Sequence, residues 1–177
     1  MKLEREKKKV IFKQLPTTRG ITCGLENPAS LECQFYELEG GELATVFTPQ
    51  DIHEGHVGVM HGGLSAAVLD ETMGRATMHT QGRGHSEQVA KCVTAEMTTK
   101  YLKPILIGKK MTAYGKVEKE EGRCVFASAV IVDEDGEIMS TGSGRFVKVT
   151  NMVDSLTKDD EYLTNRMNLT ENDPKEL

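Results

Sequence analysis

The chain has 177 residues, of which 38% are hydrophobic, and a formal net charge of −5 at pH 7. This length fits one domain with its own core, and the negative charge argues against nucleic-acid binding through bulk attraction. No apolar run approaches the roughly 20 residues that span a bilayer.

The four cysteines form no C-x-x-C pair of the kind that holds zinc or cycles between thiol and disulfide. The charged start of the chain shows no secretory signal. We therefore expect a cytoplasmic protein with reduced thiols, no metal, no cofactor, and no membrane or nucleic-acid partner.

The first part of the chain predicts an arm, a loop and a hairpin. Residues 1–13 carry mixed charges and predict a short helix or a frayed end. Residues 14–30 contain the glycines and prolines typical of a loop. Residues 31–38 and 42–48 alternate in polarity around Gly40-Gly41, which predicts a β-hairpin. Residues 49–60 are expected to form another loop.

Residues 61–80 predict one long helix, because they hold no proline and are rich in Ala, Leu and Met. Gly82 and Gly84 follow closely and predict its end. Apolar or small residues occupy most of its circumference, so the helix is expected to be buried. In a domain of this size, that burial implies a sheet wrapped around it.

The rest of the domain predicts four strands, at residues 89–103, 109–118, 123–132 and 137–149, separated by turn signals such as Asp133-Glu-Asp-Gly136. Short turns between consecutive strands indicate antiparallel pairing. The order ββ-α-ββββ predicts an α+β fold: one curved antiparallel sheet of about six strands around one long helix. Residues 151–177 are polar and predict a tail with at most one short helix.

The start of the helix offers a chemical opportunity. A helix N-terminus leaves amide N–H groups unpaired and carries a partial positive charge. Gly62 and Gly63 would let a substrate carbonyl approach these amides closely, which is the geometry of an oxyanion hole. The alternative is that the two glycines only let the loop turn sharply into a packed helix.

Asp70 is unusual because it lies among small and apolar residues in the middle of the helix. Burial would raise the pKa of its carboxyl group, which suits a general base or nucleophile. The alternative is that Asp70 pairs with Arg75 or caps a neighbouring loop. Glu71 points about 100° away around the helix and is expected to be a surface or interface charge.

The spacing of these residues predicts a dimer. Gly62 and Asp70 are eight residues apart, or about 12 Å along a helix axis, so one carbonyl cannot readily contact both. A two-fold dimer with antiparallel helices would supply Gly62 from one chain and Asp70 from the other, twice.

The sequence resembles the hotdog-fold acyl-CoA thioesterases, in particular the PaaI-like branch. The resemblance rests on His61-Gly62-Gly63 followed by Asp70, on the element order, and on Tyr101-Leu-Lys-Pro104. It covers the domain expected at residues 21–150, between an arm at 1–20 and a tail at 151–177. It implies homodimers with one continuous sheet, and pairs of dimers that form homotetramers.

The resemblance also implies roles for individual residues. Gly62 matches the residue whose amide polarises the thioester carbonyl, Asp70 matches the base or nucleophile, and Thr94 matches a Ser or Thr that positions the attacking water. His61 would fix the loop by hydrogen bonding or act in acid–base chemistry. Many members carry Asn where this chain has Gly55, which leaves open whether Glu54 or His56 replaces it.

The resulting expectation is hydrolysis of an acyl-CoA thioester to a free acid and CoA, with Gly63, His56 and Met73 in contact with the substrate. Two alternatives remain open: a hydratase or dehydratase that depends on a His–acid pair, and a non-catalytic acyl-CoA-binding protein. Basic side chains that could meet the CoA phosphates are candidates by type only; they are Arg83, Lys91, Lys100, Lys103, Lys109 and Lys110.

Overall fold

The computed structural model of the protein describes residues 1–79, 92–149 and 166–177. One α-helix, ten strands and a short 3₁₀ turn at Asp51–His53 lie within these ranges. The bounds are β1 Val10–Gln14, β2 Gln34–Leu38, β3 Glu42–Phe47, β4 Glu54–His56, β5 Val59–Met60, α1 Gly62–Ala76, β6 Cys92–Tyr101, β7 Met111–Glu121, β8 Cys124–Asp133, β9 Ile138–Lys148 and β10 Arg166–Met167.

Eight strands form one antiparallel sheet in the order β10-β1-β2-β3-β7-β8-β9-β6, and β4 pairs separately with β5. The six strands predicted from alternation and turn signals are all present in this sheet. The α+β prediction of a hotdog fold is therefore confirmed, with two more sheet strands, β1 and β10, than the sequence predicted. Strand β6 forms one edge of the sheet and is mostly exposed along its ten residues.

Helix α1 lies against one face of this sheet and contacts β3, β6, β7, β8 and β9. Val68, Leu69 and Met73 are fully buried at this contact. A Cβ atom on Gly115 of β7 would lie 2.8 Å from Cγ2 of Thr72 and 3.2 Å from its backbone oxygen. Only glycine therefore lets the helix approach the sheet this closely, and the buried helix predicted from its composition is confirmed.

The ends of the chain differ from the prediction. Residues 10–14 form strand β1, and are neither a helix nor a frayed end. Val10 belongs to a second apolar cluster, on the face of the sheet away from α1, against which Leu169 and Leu177 of the tail pack. The lysine-rich run at 7–9 hides this short strand, because charge dominates the local composition.

The tail also joins the sheet. Strand β10 pairs with β1, and Leu177 exchanges backbone hydrogen bonds with Lys8 at 2.8 and 3.0 Å. A strand pairing of the chain ends depends on long-range contacts that local patterns do not carry. The part of the tail where a short helix was expected, at 150–165, lies outside the described residues.

The helix is shorter than predicted. It begins at Gly62, and the Thr77 hydroxyl donates to the Gly74 carbonyl at 2.6 Å just past its end. The predicted stop signals at Gly82 and Gly84, and the predicted strand start at 89, lie outside the described residues. The expected loop at 49–60 holds the 3₁₀ turn and the β4–β5 hairpin instead. Within the described ranges, no helix has the length and apolar character needed to cross a membrane.

Candidate active site

The start of α1 leaves one glycine amide available. The His61 side chain caps the helix, because its Nδ1 accepts the Gly63 N–H at 2.9 Å. The Leu64 N–H donates to the His61 carbonyl at 3.0 Å. Within the described part of the chain, the Gly62 N–H meets no acceptor, and Gly62 is exposed. Of the two amides predicted to polarise a carbonyl, Gly62 is therefore free, and Gly63 is already used by His61.

His61 is held in place from two further sides. Its backbone N–H donates to the His53 carbonyl at 2.9 Å. A Cβ atom on Gly55 would lie 2.9 Å from the His61 Cα and 3.1 Å from its Cδ2. Position 55 therefore has no room for a side chain in this arrangement, which accounts for the glycine where Asn was expected. These contacts give His61 a structural role at the helix start.

Neither neighbour of Gly55 is hydrogen-bonded to the helix start. Glu54 accepts the Gly58 N–H at 2.7 Å within the β4–β5 hairpin. His56 is exposed on β4, next to Val57, which is 95% exposed at the tip of the hairpin. Contact of His56 with a substrate therefore stays a prediction.

Asp70 is half-buried, and one side-chain hydrogen bond reaches its carboxylate from the residues that the structure describes. The Thr94 hydroxyl of β6 donates to Asp70 Oδ1 at 2.7 Å. Burial raises the pKa of Asp70 above its ordinary value, the Thr94 hydrogen bond opposes this, and the negative charge of Glu71 raises the pKa further. The carboxylate thus has the features that a general base or nucleophile needs.

The alternative in which Arg75 neutralises Asp70 does not hold. Arg75 pairs instead with Glu71, with Nε to Oε1 at 2.6 Å. Its guanidinium also donates to the Leu15 carbonyl at 2.9 Å and lies 3.8 Å from the centre of the Phe35 ring. Arg75 is 1% exposed, and Glu71 is more buried than a surface charge is expected to be. The ion pair therefore belongs to the core, and Arg75 is not the partner of Asp70.

Strand β6 contacts helix α1 at two points, one near the start of the strand and one at its last residue. Thr94 pairs with Phe146 and Glu96 with Arg145, so Ala95 is an extra residue in a β-bulge. Alternation alone would place Thr94 and Tyr101 on opposite faces, and the bulge returns both to the helix side. The Tyr101 hydroxyl donates to the Gly62 carbonyl at 3.1 Å. Tyr101 was part of the motif on which the resemblance rests, but the sequence did not predict this contact.

Met73, predicted to contact the substrate, lies in the core. It is 0% exposed, and its Cε would lie 3.4 and 3.5 Å from Cβ atoms on Gly142 and Gly144. The single chain therefore offers a substrate no surface at this position. Because the helix is apolar nearly all round, its sequence alone does not separate core positions from site positions.

The basic candidates remain scattered. Lys103 pairs with Glu137 at 2.5 Å, while Lys100, Lys109 and Lys110 are exposed. Arg83 and Lys91 lie outside the described residues. Among the residues that the structure does describe, no group of three or more His, Cys, Asp or Glu side chains is placed to hold a metal ion.

Comparisons with known proteins relate this chain to thioesterases. Residues 57–140 match the family model of the thioesterase superfamily. The acyl-coenzyme A thioesterase THEM4 of Xenopus laevis is 32% identical over 118 residues, which are 66% of this chain and 50% of that protein. The rat THEM4 match covers 56% of its protein, so the chain spans about half the length of these curated relatives.

Solved structures show the same architecture. The thioesterase superfamily protein RHA08564 is 27% identical, with a TM-score of 0.61 over 70% of this chain and 57% of its own. The E. coli PaaI protein is 17% identical, with a TM-score of 0.58 over 68% of this chain and 81% of its own. The PaaI match is a likeness of fold.

Proposed function

Because this chain belongs to the thioesterase superfamily, we propose that it hydrolyses an acyl-CoA thioester to a free acid and CoA. The observation that carries the proposal is Asp70, a half-buried carboxylate that no cation of the described residues neutralises and that Thr94 holds at 2.7 Å. Acyl-CoA is the substrate class named for the THEM4 relatives.

In the proposed reaction, the free N–H of Gly62 donates a hydrogen bond to the thioester carbonyl and stabilises the negative charge that develops on its oxygen. Water attacks the carbonyl carbon and gives a proton to Asp70, or the carboxylate attacks directly and water resolves the intermediate. The C–S bond breaks, and the CoA thiolate leaves and takes up a proton. Thr94 orients the carboxylate and the water.

We propose further that each site joins two subunits of a homodimer. Gly62 and Asp70 stand about 12 Å apart along α1, at opposite ends of the contact with β6. Strand β6 is a ten-residue sheet edge with exposed side chains, and long unprotected edges are uncommon in monomers. Antiparallel pairing of two β6 strands would bring Asp70 of one chain towards Gly62 of the other. The dimer of dimers and the cytoplasmic location remain predictions.

The hydratase alternative is less well supported. It requires a His–acid pair, but the His61 Nδ1 accepts the Gly63 N–H, and His56 stands exposed on the hairpin. Neither histidine is paired with a carboxylate in the ranges that the structure covers. The non-catalytic alternative predicts binding of acyl-CoA without release of CoA.

The test is a thiol-release assay over a panel of acyl-CoAs, with wild type, Asp70→Asn and the matched control Asp135→Asn. Asp135 is exposed in the β8–β9 turn, away from the helix. We expect kcat to fall by about 10²–10⁴ in Asp70→Asn, the range for loss of a general base, and to stay unchanged in Asp135→Asn. Full thiol release by Asp70→Asn would contradict the role of Asp70. Absence of thiol release by wild type, with hydration of an enoyl-CoA that is lost in His61→Ala, would favour the hydratase.

A further inference from the structure

We propose that Tyr101 is a positioning residue for the thioester site, which holds the first turn of α1 through its hydroxyl and borders the Gly62 amide with its ring. This inference rests on the proposed function. Its starting observation is that the last residue of β6 reaches across to the first residue of α1, where its hydroxyl donates to the Gly62 carbonyl at 3.1 Å.

The first turn of α1 needs such a tether. Two consecutive glycines give this turn more conformational freedom than any other pair of residues would. The free N–H of Gly62 polarises a carbonyl only if it keeps one direction, since an oxyanion hole works by preorganisation. His61 restrains the turn from its N-terminal side, through the Gly63 amide. Tyr101 restrains it from the side of the sheet.

The backbone of Tyr101 is held by strand β9 and by the residues that follow it. Tyr101 pairs with Ser140 of β9. Directly after it, the backbone N–H groups of Leu102 and Lys103 both donate to the Met139 carbonyl, at 2.8 and 3.0 Å. The backbone that carries the phenol ring is therefore fixed, and the hydrogen bond from the Tyr101 hydroxyl holds Gly62 in place relative to that backbone.

The ring stands beside the space that a substrate would enter. A Cβ atom on Gly62 would lie 3.5 Å from the Tyr101 Cε1 and 3.7 Å from its Cζ. One edge of the ring thus touches the glycine, while Tyr101 as a whole is 56% exposed. An exposed aromatic side chain whose hydroxyl turns inward to a backbone carbonyl, next to a free amide, offers an apolar wall to the group bound there.

The other described tyrosines have different contacts. The Tyr36 hydroxyl donates to Asp173 of the tail at 3.0 Å. Arg5 covers the Tyr114 ring at 3.7 Å, on the face of the sheet away from α1. Among the described residues, the Tyr114 hydroxyl forms no hydrogen bond. Tyr114→Phe is therefore a matched control for removal of one tyrosine hydroxyl.

The two parts of the role predict different kinetics. Tyr101→Phe removes the hydrogen bond to the Gly62 carbonyl and keeps the aromatic ring. We therefore expect kcat to fall about two- to tenfold, the size of one lost hydrogen bond, with KM unchanged. Tyr101→Ala removes both, so KM should rise as well. Tyr114→Phe should leave kcat and KM at their wild-type values.

The experiment measures kcat and KM for the three variants with the best acyl-CoA of the panel, and hydrogen exchange at the amides of residues 62–65. Exchange should be faster in Tyr101→Phe than in Tyr114→Phe. Wild-type kcat and exchange rates in Tyr101→Phe would overturn the inference while the proposed function stands. Equal effects of Tyr101→Phe and Tyr101→Ala on KM would overturn the role of the ring. Absence of thiol release by wild type would overturn the proposed function and this inference together.

Discussion

The amide of Gly62 can be deleted without a large change to the fold, because Gly62→Pro places proline at the first position of a helix. Proline is favoured there, since the N–H that it lacks has no partner within the helix. The residue before proline must be extended, and His61 already has φ −59° and ψ 130°. The proline Cβ would lie about 3.5 Å from the Tyr101 Cε1, an ordinary contact.

These contacts set the size of the expected effects. The free energy of unfolding should change by no more than about 1 kcal/mol, as for other prolines at compatible positions. The rate should fall much further, because loss of one oxyanion-hole donor costs about 10²–10³ in kcat, or roughly 2.7–4 kcal/mol of transition-state stabilisation. Gly62→Ala adds a Cβ atom at the same place but keeps the N–H, so it should retain most of the wild-type kcat.

The measurement is kcat for wild type, Gly62→Pro and Gly62→Ala with one acyl-CoA, beside the denaturant midpoint of each variant. The amide hypothesis requires that Gly62→Pro loses activity at nearly unchanged stability and that Gly62→Ala does not. Two results would refute it: equal activity of the two variants, or a proline variant as active as wild type. Equal loss in both would assign the requirement to bulk at position 62 and not to the N–H.

Two further predictions concern pH. Thr94→Val removes the hydrogen bond that lowers the pKa of Asp70. Because the reaction needs the ionised carboxylate, the acid limb of the pH profile of kcat/KM should move to higher pH. An acid limb at the wild-type pH would contradict the role of Asp70. Burial raises the pKa of Asp173, but hydrogen bonds from Lys13 and Thr170 outweigh this and hold it well below its ordinary value. Ionised Asp173 therefore stabilises the fold above about pH 3.9, and this contribution is lost as the pH falls through the lowered folded pKa. Asp173→Asn should cost about 1–3 kcal/mol at pH 7 and less in acid; an equal cost in urea titrations at pH 7 and pH 3 would argue against the ion pair.

Much of the fold could be predicted because its patterns are local. Alternation and turn signals found six of the eight strands of the large sheet, and composition found the helix. The pairing of the N-terminal arm with the tail could not be found in this way, since its backbone hydrogen bonds join residues as far apart as 8 and 177. No local pattern in a lysine-rich arm and an acidic tail indicates that they meet.

The candidate site could be predicted where one residue carried a distinctive chemical feature. Gly62 and Asp70 stand out by their unusual places in a helix. The structure joins Asp70 to Thr94, a residue for which the resemblance implied a role in positioning water, and that role stays a prediction. Tyr101 was missed because the bulge at Ala95 reverses the alternation of β6. Met73 was predicted to contact the substrate but is buried in the core. The helix is apolar on nearly all sides, so its sequence does not indicate which side faces the core.

The shared site is tested most directly by mixing two inactive variants, Gly62→Pro and Asp70→Asn, each with a different affinity tag. If the two residues come from different subunits, every mixed dimer contains one site with an intact Gly62 and an intact Asp70. Random exchange of subunits makes about half of the dimers mixed, so activity should return to about a quarter of the wild-type value. If both residues act within one chain, each chain still lacks either the Gly62 N–H or the Asp70 carboxylate, and the mixture stays as inactive as its components.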